Sequence, residues 1–332
     1  MYNRLLSGIM TLSLAATMAI SADGIRFNVT TQDVEDKYNV MINEKAEEVG
    51  FVLSDPHERI HDAYLEKYSK AKIDGKDNPA YDPDFKITLD NLGFFSVSND
   101  EAVRTLLLKS PEIGGFSPFN LHIYKEKNDT RTFVGHIKPE VMLDIVGVKD
   151  KKIREEFIQS FKPIDALVEK EIGGKVIGVG FDAVPAESMM KFEYTFDRSD
   201  ELDDFIDEFQ EKFEEKFEEN NYIIAGYKNY VETYEDLEQD FSRYDAYWVY
   251  SLCHFVFSYN VFNKGRPDAG VFAPCSMYMY IEKDKNVLHI GMPTLQNWKT
   301  VLGIKDAKKL KFIDKIDKEI IGIMLELGAK KI

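Results

Sequence analysis

The sequence lacks the short motifs by which many enzyme classes are recognised. It contains no glycine-rich phosphate loop, no GxSxG nucleophile elbow and no glycine fingerprint for a dinucleotide. Its only two cysteines do not form a CxxC pair, which removes the usual signature of a thiol oxidoreductase. No motif therefore indicates a reaction, and we expect a protein that is not an enzyme.

Positive charge is also scarce. The 332 residues include 42 Lys and Arg against 58 Asp and Glu, for a formal net charge of -16. Such a field repels phosphate backbones and anionic lipid, and no Lys/Arg-rich cluster stands out against it in the sequence. We therefore expect no nucleic-acid partner.

Long apolar runs are absent except at the amino terminus. Residues 1 to 22 carry one charge, Arg4, followed by a weakly apolar stretch that ends in small residues. This layout is typical of a cleaved secretory signal peptide, because the apolar part is shorter than the roughly 20 residues that a membrane span needs. We expect a soluble bacterial protein that is exported to the periplasm, with no stable membrane span after cleavage.

An internal repeat is the strongest feature that is present. Residues 111 to 150 align without a gap with residues 267 to 306, so that Tyr124 matches Tyr280. Eleven of these forty positions are identical, whereas roughly two or three matches are expected by chance. The chain is therefore predicted to contain two copies of one domain.

The repeat sets the predicted domain organisation. After the signal peptide, the first copy occupies residues 23 to 175, a linker occupies 176 to 189, and the second copy occupies 190 to 332. In each copy, alternating apolar residues predict strands, and an apolar period near 3.6 predicts helices. We predict an α+β fold of two similar domains, each a mainly antiparallel sheet with helices packed on one face.

Three local features refine this prediction. The first copy carries about 16 extra residues, which the Gly, Pro and Asp content of residues 72 to 86 assigns to a loop. Pro163 should kink the terminal helix of the first copy. Residues 201 to 220 should form a helix in which phenylalanines four residues apart face the sheet, while the carboxylates face water.

The hairpin segments resemble a known family. "FSPFNLHIYKEK" in the first copy and "FAPCSMYMYIEK" in the second are similar to the domain of unknown function catalogued as family 302. In that family a Cys-Asn-Pro typically ends the third strand and a Leu-Pro-Cys opens the hairpin. Cys253 matches the first cysteine, with His254 after it in place of Asn, and Cys275 after Ala273 and Pro274 matches the second. The resemblance implies the fold but no established reaction.

The two cysteines have three interpretations. The first copy lacks both, so a sulfur site would belong to the second copy. An even count in an oxidising compartment indicates a disulfide between Cys253 and Cys275. The two thiols with His254 are also ligand types that select copper or zinc. A redox exchange would require an exposed thiolate of low pKa.

Residues 244 to 262 are unusually rich in aromatic side chains for one strand and one short helix. One interpretation is a large core or a contact between the two copies. The other is an aromatic pocket for a small ligand beside the cysteines, with Trp248, Tyr250 and Met277 as lining candidates. For Met277 we favour core packing over metal ligation, because an ordinary core residue, Leu121, occupies the matching position of the first copy.

A literal HExxH motif is formed by His57, Glu58 and His61. On a helix, this spacing could hold zinc between two imidazoles, with the glutamate as a base. Pro56 places the motif at a helix start, and the second copy has Lys, Asn and Glu at the matching positions. We therefore do not expect a metallopeptidase.

These observations favour an exported, non-enzymatic binding or interaction module with its site in the second domain. Its partner would be a small ligand or a protein. The alternative hypothesis is a thiol-dependent copper- or zinc-binding protein or a redox protein that uses Cys253, Cys275 and His254.

Overall fold

The computed structural model describes residues 23 to 180, 184 to 198 and 201 to 332. The predicted signal peptide lies outside these residues. We call the part from the first to the eighth strand the first domain. Its elements are β1 (Ile25–Thr30), α1 (Glu35–Val40), β2 (Val52–His57), α2 (Ile60–Ser69), β3 (Lys72–Ile73), β4 (Lys76–Asp77), β5 (Leu89–Ser98), α3 (Asp100–Leu107), β6 (Phe119–Glu126), β7 (Thr132–Ile137), α4 (Pro139–Val146), α5 (Lys151–Ser160), α6 (Lys162–Glu171) and β8 (Lys175–Val179).

The remaining elements form the second domain. They are β9 (Met189–Thr195), α7 (Leu202–Glu219), β10 (Tyr222–Asn229), α8 (Tyr230–Asp236), β11 (Tyr244–His254), α9 (Phe255–Ser258), β12 (Cys275–Glu282), β13 (Val287–Pro293), α10 (Gln296–Val301), α11 (Ala307–Glu326) and β14 (Lys330–Lys331).

Each domain is built on a six-stranded sheet, and the two sheets have the same strand order. The orders are β2-β5-β6-β7-β1-β8 and β10-β11-β12-β13-β9-β14. All the paired strands of both sheets run antiparallel. The predicted α+β class, with two similar domains and antiparallel sheets flanked by helices, is confirmed.

The last strand of each sheet was not predicted. β8 pairs with β1, and β14 pairs with β9, so in both domains the chain returns to the sheet edge after the terminal helix. The predicted linker from 176 to 189 consequently begins inside β8. Its glycines indicated a loop, but "KVIGV" is extended because it pairs with β1. The extra loop of the first domain holds the short hairpin of β3 and β4.

The terminal helices differ as Pro163 predicts. In the first domain the helix is divided into α5 and α6, with Pro163 in the first turn of α6, where a missing N–H costs no helical hydrogen bond. In the second domain α11 continues unbroken for 20 residues. Both begin at an aspartate, since Asp150 and Asp306 accept backbone N–H bonds from the first turn. Within the described ranges, no helix has the length and apolarity that a membrane crossing requires.

The long helix α7 covers one face of the second sheet. On α7, Phe209, Phe213 and Phe217 are buried, and Phe213 stacks on Tyr250 of β11 at 4.8 Å between ring centroids. The predicted phenylalanine face therefore packs on the sheet, and the carboxylates of α7 that lie opposite it are exposed.

The other face of each sheet contacts the other domain through a short 3₁₀ turn. Tyr247 of β11 donates a 2.6 Å hydrogen bond to the carbonyl of Pro111, in the turn Pro111–Phe116 of the first domain. In the opposite direction, His122 of β6 lies 2.9 Å from the carbonyl of Pro267, in the turn Pro267–Phe272 of the second domain. The contact is therefore reciprocal: each domain inserts the same turn against the sheet of the other.

His122 is enclosed at this contact. Its two ring nitrogens lie 2.8 Å from the carbonyl of Gly93 and 2.9 Å from that of Pro267. Burial lowers the pKa of His122 to about 4. The neutral ring has one N–H, so it donates to one of the two carbonyls at a time.

A buried ion pair joins the two domains at their rim. Lys228 of β10 lies 2.7 Å from Asp100 at the start of α3, and both side chains are at most 10% exposed. Tyr234 also donates to the backbone carbonyl of Asp100. Removing one charge would leave the other buried without a partner, so breaking the pair would destabilise this contact between the domains.

Two glycines allow the turns to approach the opposite sheets, which leads to a test of the interface. A Cβ on Gly114 would lie 2.2 Å from the hydroxyl of Tyr247, and a Cβ on Gly270 would lie 2.3 Å from Cε1 of His122. We expect Gly114→Ala and Gly270→Ala each to lower the free energy of unfolding by roughly 1–3 kcal/mol through overpacking. Chemical denaturation measures the change.

Gly322 on α11 is the matched control, because a Cβ there meets nothing within 4 Å. Alanine at this helical position should raise stability, by about 0.5–1 kcal/mol. Equal effects of all three substitutions would contradict the close approach of the two domains.

Candidate functional site

The predicted sulfur residues meet at one end of the second sheet. β11 ends at His254 and β12 begins at Cys275, whose cross-strand partner is Leu252. Cys253 and Cys275 are therefore on neighbouring strands, at nearly the same level. The structure brings the residues of the expected site into one region.

The two thiols nevertheless lie on opposite faces of the sheet. Successive strand residues point to opposite faces, so Cys275 shares a face with Leu252 and not with Cys253. Cys253 lies beside Ser258, whose hydroxyl accepts a 2.9 Å hydrogen bond from Tyr64 of the first domain. Cys275 instead lies near Asp317 of α11. Both cysteines are free, so the predicted disulfide is not formed in this structure, and the alternation of strand side chains is the reason.

Burial keeps both thiols protonated. It raises the pKa of Cys253 to about 11. The pKa of Cys275 rises further, first through burial and then through the nearby Cys253 and Asp317. The thiolate is the nucleophile and the metal ligand, so neither cysteine has the acidity of a reactive thiol at neutral pH.

His254 points toward the helices rather than toward Cys253. Its Nδ1 accepts a 3.2 Å hydrogen bond from the backbone N–H of Phe257, which caps α9. In the neutral ring the proton is therefore on Nε2, 3.5 Å from a carboxylate oxygen of Glu319 on α11. Burial lowers the pKa of His254, and Glu319 partly opposes this. The imidazole thus serves as a helix cap and faces a carboxylate.

Among the described residues, no group of three or more His, Cys, Asp or Glu side chains is arranged to hold a metal ion. The HExxH residues are divided between two elements. His57 ends β2 and donates to the carbonyl of Ala225 at 2.6 Å, whereas His61 is on α2 and buried. The expectation that Pro56 opens the helix is wrong, because Pro56 pairs with Phe95 inside the sheet and the helix starts at Ile60.

The three pocket-lining candidates are core residues. Trp248, Tyr250 and Met277 are at most 1% exposed and lie between the sheet and the helices of the second domain. The hydroxyl of Tyr250 donates to Glu214 of α7 at 2.7 Å. The aromatic segment thus packs a large core, and it also contacts the first domain, where Tyr259 stacks on Tyr68 at 4.0 Å.

A small cavity lies between the two domains beside Cys275. Its volume is about 20 Å³, and Asn120, Phe119 and Ser276 are among its lining residues. This is room for about one water molecule and not for an organic ligand. The inner surface of the second sheet therefore provides no ligand pocket at this position.

A lysine stripe on α11 was not predicted from the sequence. We use this name for Lys308, Lys311, Lys315 and Lys318, all exposed. Together with the half-buried Phe312 and Asp314, they line an open concavity of about 540 Å³. The signal was in the sequence, since the lysines of "KKLKFIDKIDK" recur every three or four residues and the isoleucines between them are buried.

The similarity of this chain to known proteins is found at the level of solved structures. No family model matches the chain, and no curated protein matches it. Among solved structures, the chain is similar to the crystal structure of an uncharacterized conserved protein, DUF302, from Bacillus stearothermophilus. The identity is 21% and the TM-score 0.32, over 40% of this chain and 94% of that chain.

The burial of the thiols has a measurable consequence. Because the folded state holds the Cys253 proton more tightly than the unfolded state, its contribution to stability is complete below about pH 8.5 and is lost as the pH rises toward 11. We expect the free energy of unfolding to fall more steeply over this interval in the wild type than in Cys253→Ala. Denaturation curves at several pH values measure the difference.

A thiol reagent provides the control. In the folded protein near pH 8 neither cysteine should react rapidly, and both should react once the chain is denatured. Rapid labelling of Cys253 or Cys275 in the folded protein would contradict the assignment of both as protonated thiols of raised pKa.

Proposed function

We propose that this chain is an exported, non-enzymatic interaction module whose binding surface is the lysine stripe of α11. The observation that carries the proposal is four exposed lysines that line one concavity with Phe312, on a chain with a net charge of -16. The site that we expected from the two cysteines also belongs to the second domain.

The position of the stripe follows from the packing of α11. Ile313, Ile316 and Ile320 are buried against the sheet, so the lysines project from the opposite side of the helix. Among the described residues, Lys308, Lys311 and Lys318 make no ion pair within 4 Å. These ammonium groups are therefore available to a partner that carries carboxylates, and Phe312 is available to an apolar side chain.

An acidic protein segment fits the stripe better than a nucleic acid does. The stripe is one helix face long and contains no arginine, the residue that pairs with phosphates in two-point contacts. The exposed carboxylates of α7 lie on the same helical layer and would repel an extended phosphate backbone. A short acidic segment can contact the lysines without crossing that region.

The geometry of the thiols supports this proposal over the metal or redox alternative. A copper or zinc site built on Cys253, Cys275 and His254 would need both sulfurs on one side of the sheet and deprotonated. The strand register separates them, and burial raises the pKa of both.

We further propose that the two domains are copies of the family 302 domain. The shared strand order and the reciprocal 3₁₀ turns support this duplication. In this proposal the first domain is a scaffold that covers the inner face of the second sheet.

A labelled peptide of glutamates with one phenylalanine tests the binding surface. We expect the wild type to bind it, and Lys311→Glu with Lys315→Glu to weaken binding by at least about tenfold, because each reversal replaces an attraction by a repulsion. Fluorescence anisotropy gives the dissociation constants.

The matched control reverses two exposed lysines of the first domain, Lys149→Glu with Lys151→Glu. This variant has the same net charge and should bind the peptide nearly as well as the wild type. Equal losses of peptide affinity in both variants would show that binding depends only on net charge, and this would overturn the lysine stripe as the binding surface. Tighter binding of a single-stranded oligonucleotide than of the peptide would overturn the proposal of an acidic protein partner.

Export has its own test. The full chain, with its first 22 residues, is expressed in a bacterial host. We expect a shortened protein to be recovered from the periplasm, with its amino terminus at Asp23 or within a few residues of it. Mass spectrometry of the intact protein measures the cleavage, and a full-length cytoplasmic product would contradict export.

A further inference from the structure

The lysine stripe lies beside the contact between the two domains. The part of α11 that carries it packs on α9, since the rings of Phe312 and Phe257 are 5.3 Å apart between centroids. α9 in turn packs on α2 of the first domain, where the ring of Tyr64 lies 5.2 Å from that of Phe255. The helices α11, α9 and α2 are therefore in contact, in this order, across the domain boundary.

A further lysine extends the positive charge across this boundary. Lys67 of α2 is exposed, and its ammonium group lies 4.7 Å from the centre of the Phe255 ring. Within the part of the chain that the structure describes, no carboxylate lies within 4 Å of this ammonium group. Burial lowers the pKa of His254, and the charges of Lys315 and Lys67 both lower it further. One lysine from each domain is therefore close to the same imidazole ring.

Aromatic rings connect α2 with the lysine stripe. Phe255 and Phe312 are half-buried, and the ring of His254, which precedes Phe255 in the chain, lies 6.4 Å from that of Phe312. The nearby carboxylate of Glu319 is 21% exposed and lies 3.9 Å from the ammonium group of Lys315, so its charge already has a partner. This surface therefore has lysines at both ends and apolar rings between them.

We propose that the partner is an acidic segment with a central aromatic residue, and that it lies across both domains, from the lysine stripe to Lys67. This inference rests on the proposed function and specifies the sequence pattern of its partner. The aromatic residue contacts Phe255 and Phe312, and the carboxylates on its two sides pair with lysines of different domains. A segment with carboxylates on only one side of the ring can pair with the lysines of only one domain.

The two groups of lysines are held at a fixed separation before any partner binds. The hydroxyl of Tyr64 on α2 donates a 2.9 Å hydrogen bond to Ser258 of α9, and the ring of Tyr68 stacks on that of Tyr259 at 4.0 Å. A surface that is already ordered loses less conformational entropy when it binds. The domain contact therefore favours one partner that spans it over two separate partners.

Two labelled peptides of equal composition test this pattern. The first has a pair of phenylalanines in the middle of a run of glutamates, and the second has the same residues with the pair at its amino end. We expect the wild type to bind the first peptide at least about threefold more tightly, because only this peptide has carboxylates on both sides of the rings. Fluorescence anisotropy gives both dissociation constants.

The preference should depend on the charge of Lys67. In Lys67→Glu we expect the first peptide to bind about threefold to tenfold more weakly than in the wild type and the preference between the peptides to disappear. Lys67→Arg keeps the charge and should keep the preference. Lys151→Glu, at an exposed position of α5, has the same net charge as Lys67→Glu and should bind like the wild type. Circular dichroism checks that each variant is folded.

The outcomes separate this inference from the proposed function. Equal affinity of the wild type for the two peptides would overturn the inference, and so would a Lys67→Glu variant that keeps the preference. If Lys311→Glu with Lys315→Glu still weakens binding in either case, the lysine stripe remains the binding surface. A wild type that binds neither peptide would overturn the inference and the proposed function together.

Discussion

The structure depends on the reciprocal insertion of two 3₁₀ turns, each against the sheet of the other domain. A sheet whose long helices lie on one side has a second apolar face that must also be covered. Here each domain covers the other, through backbone carbonyls that accept hydrogen bonds from buried side chains and through Gly114 and Gly270, which leave no space for a Cβ. The buried pair of Asp100 and Lys228 adds a charge contact at the rim of the same surface.

Because the domains cover each other, the inner face of the second sheet is not accessible to a partner. This face is occupied by the first domain, and the cavity left there holds about one water molecule. Cys253 lies beside Ser258 at this interface and Cys275 lies near Asp317 of α11, so the two thiols are neighbours on opposite faces of the sheet. The helical layer, where the lysine stripe lies, remains accessible.

Much of the fold could be predicted because the signals are local. The alternation of strands, the phenylalanine spacing of α7 and the effect of Pro163 depend on neighbours within one or two turns of chain. Other elements could not be predicted because their pairing partners are distant. "KVIGV" is a strand only because β1 lies beside it, and His57 is on a strand only because β2 pairs with β5.

The residues of the candidate site are neighbours in the structure, but they lie on two faces of the sheet. The sequence placed Cys253, His254 and Cys275 together, and they do meet at one end of the sheet. The sequence could not show that the cross-strand partner of Cys275 is Leu252. This register puts the two thiols on opposite faces of the sheet. Trp248, Tyr250 and Met277 likewise have the composition of a pocket but fill a core.

The sequence by itself determined the α+β class and two similar antiparallel sheets, because hydrophobic periodicity and the internal repeat are properties of the chain alone. Only the tertiary structure decided which faces are covered, whether two cysteines can reach each other, and which charges stand together on the surface. These depend on contacts between residues that are far apart in the chain, and on the strand register that sets the direction of each side chain.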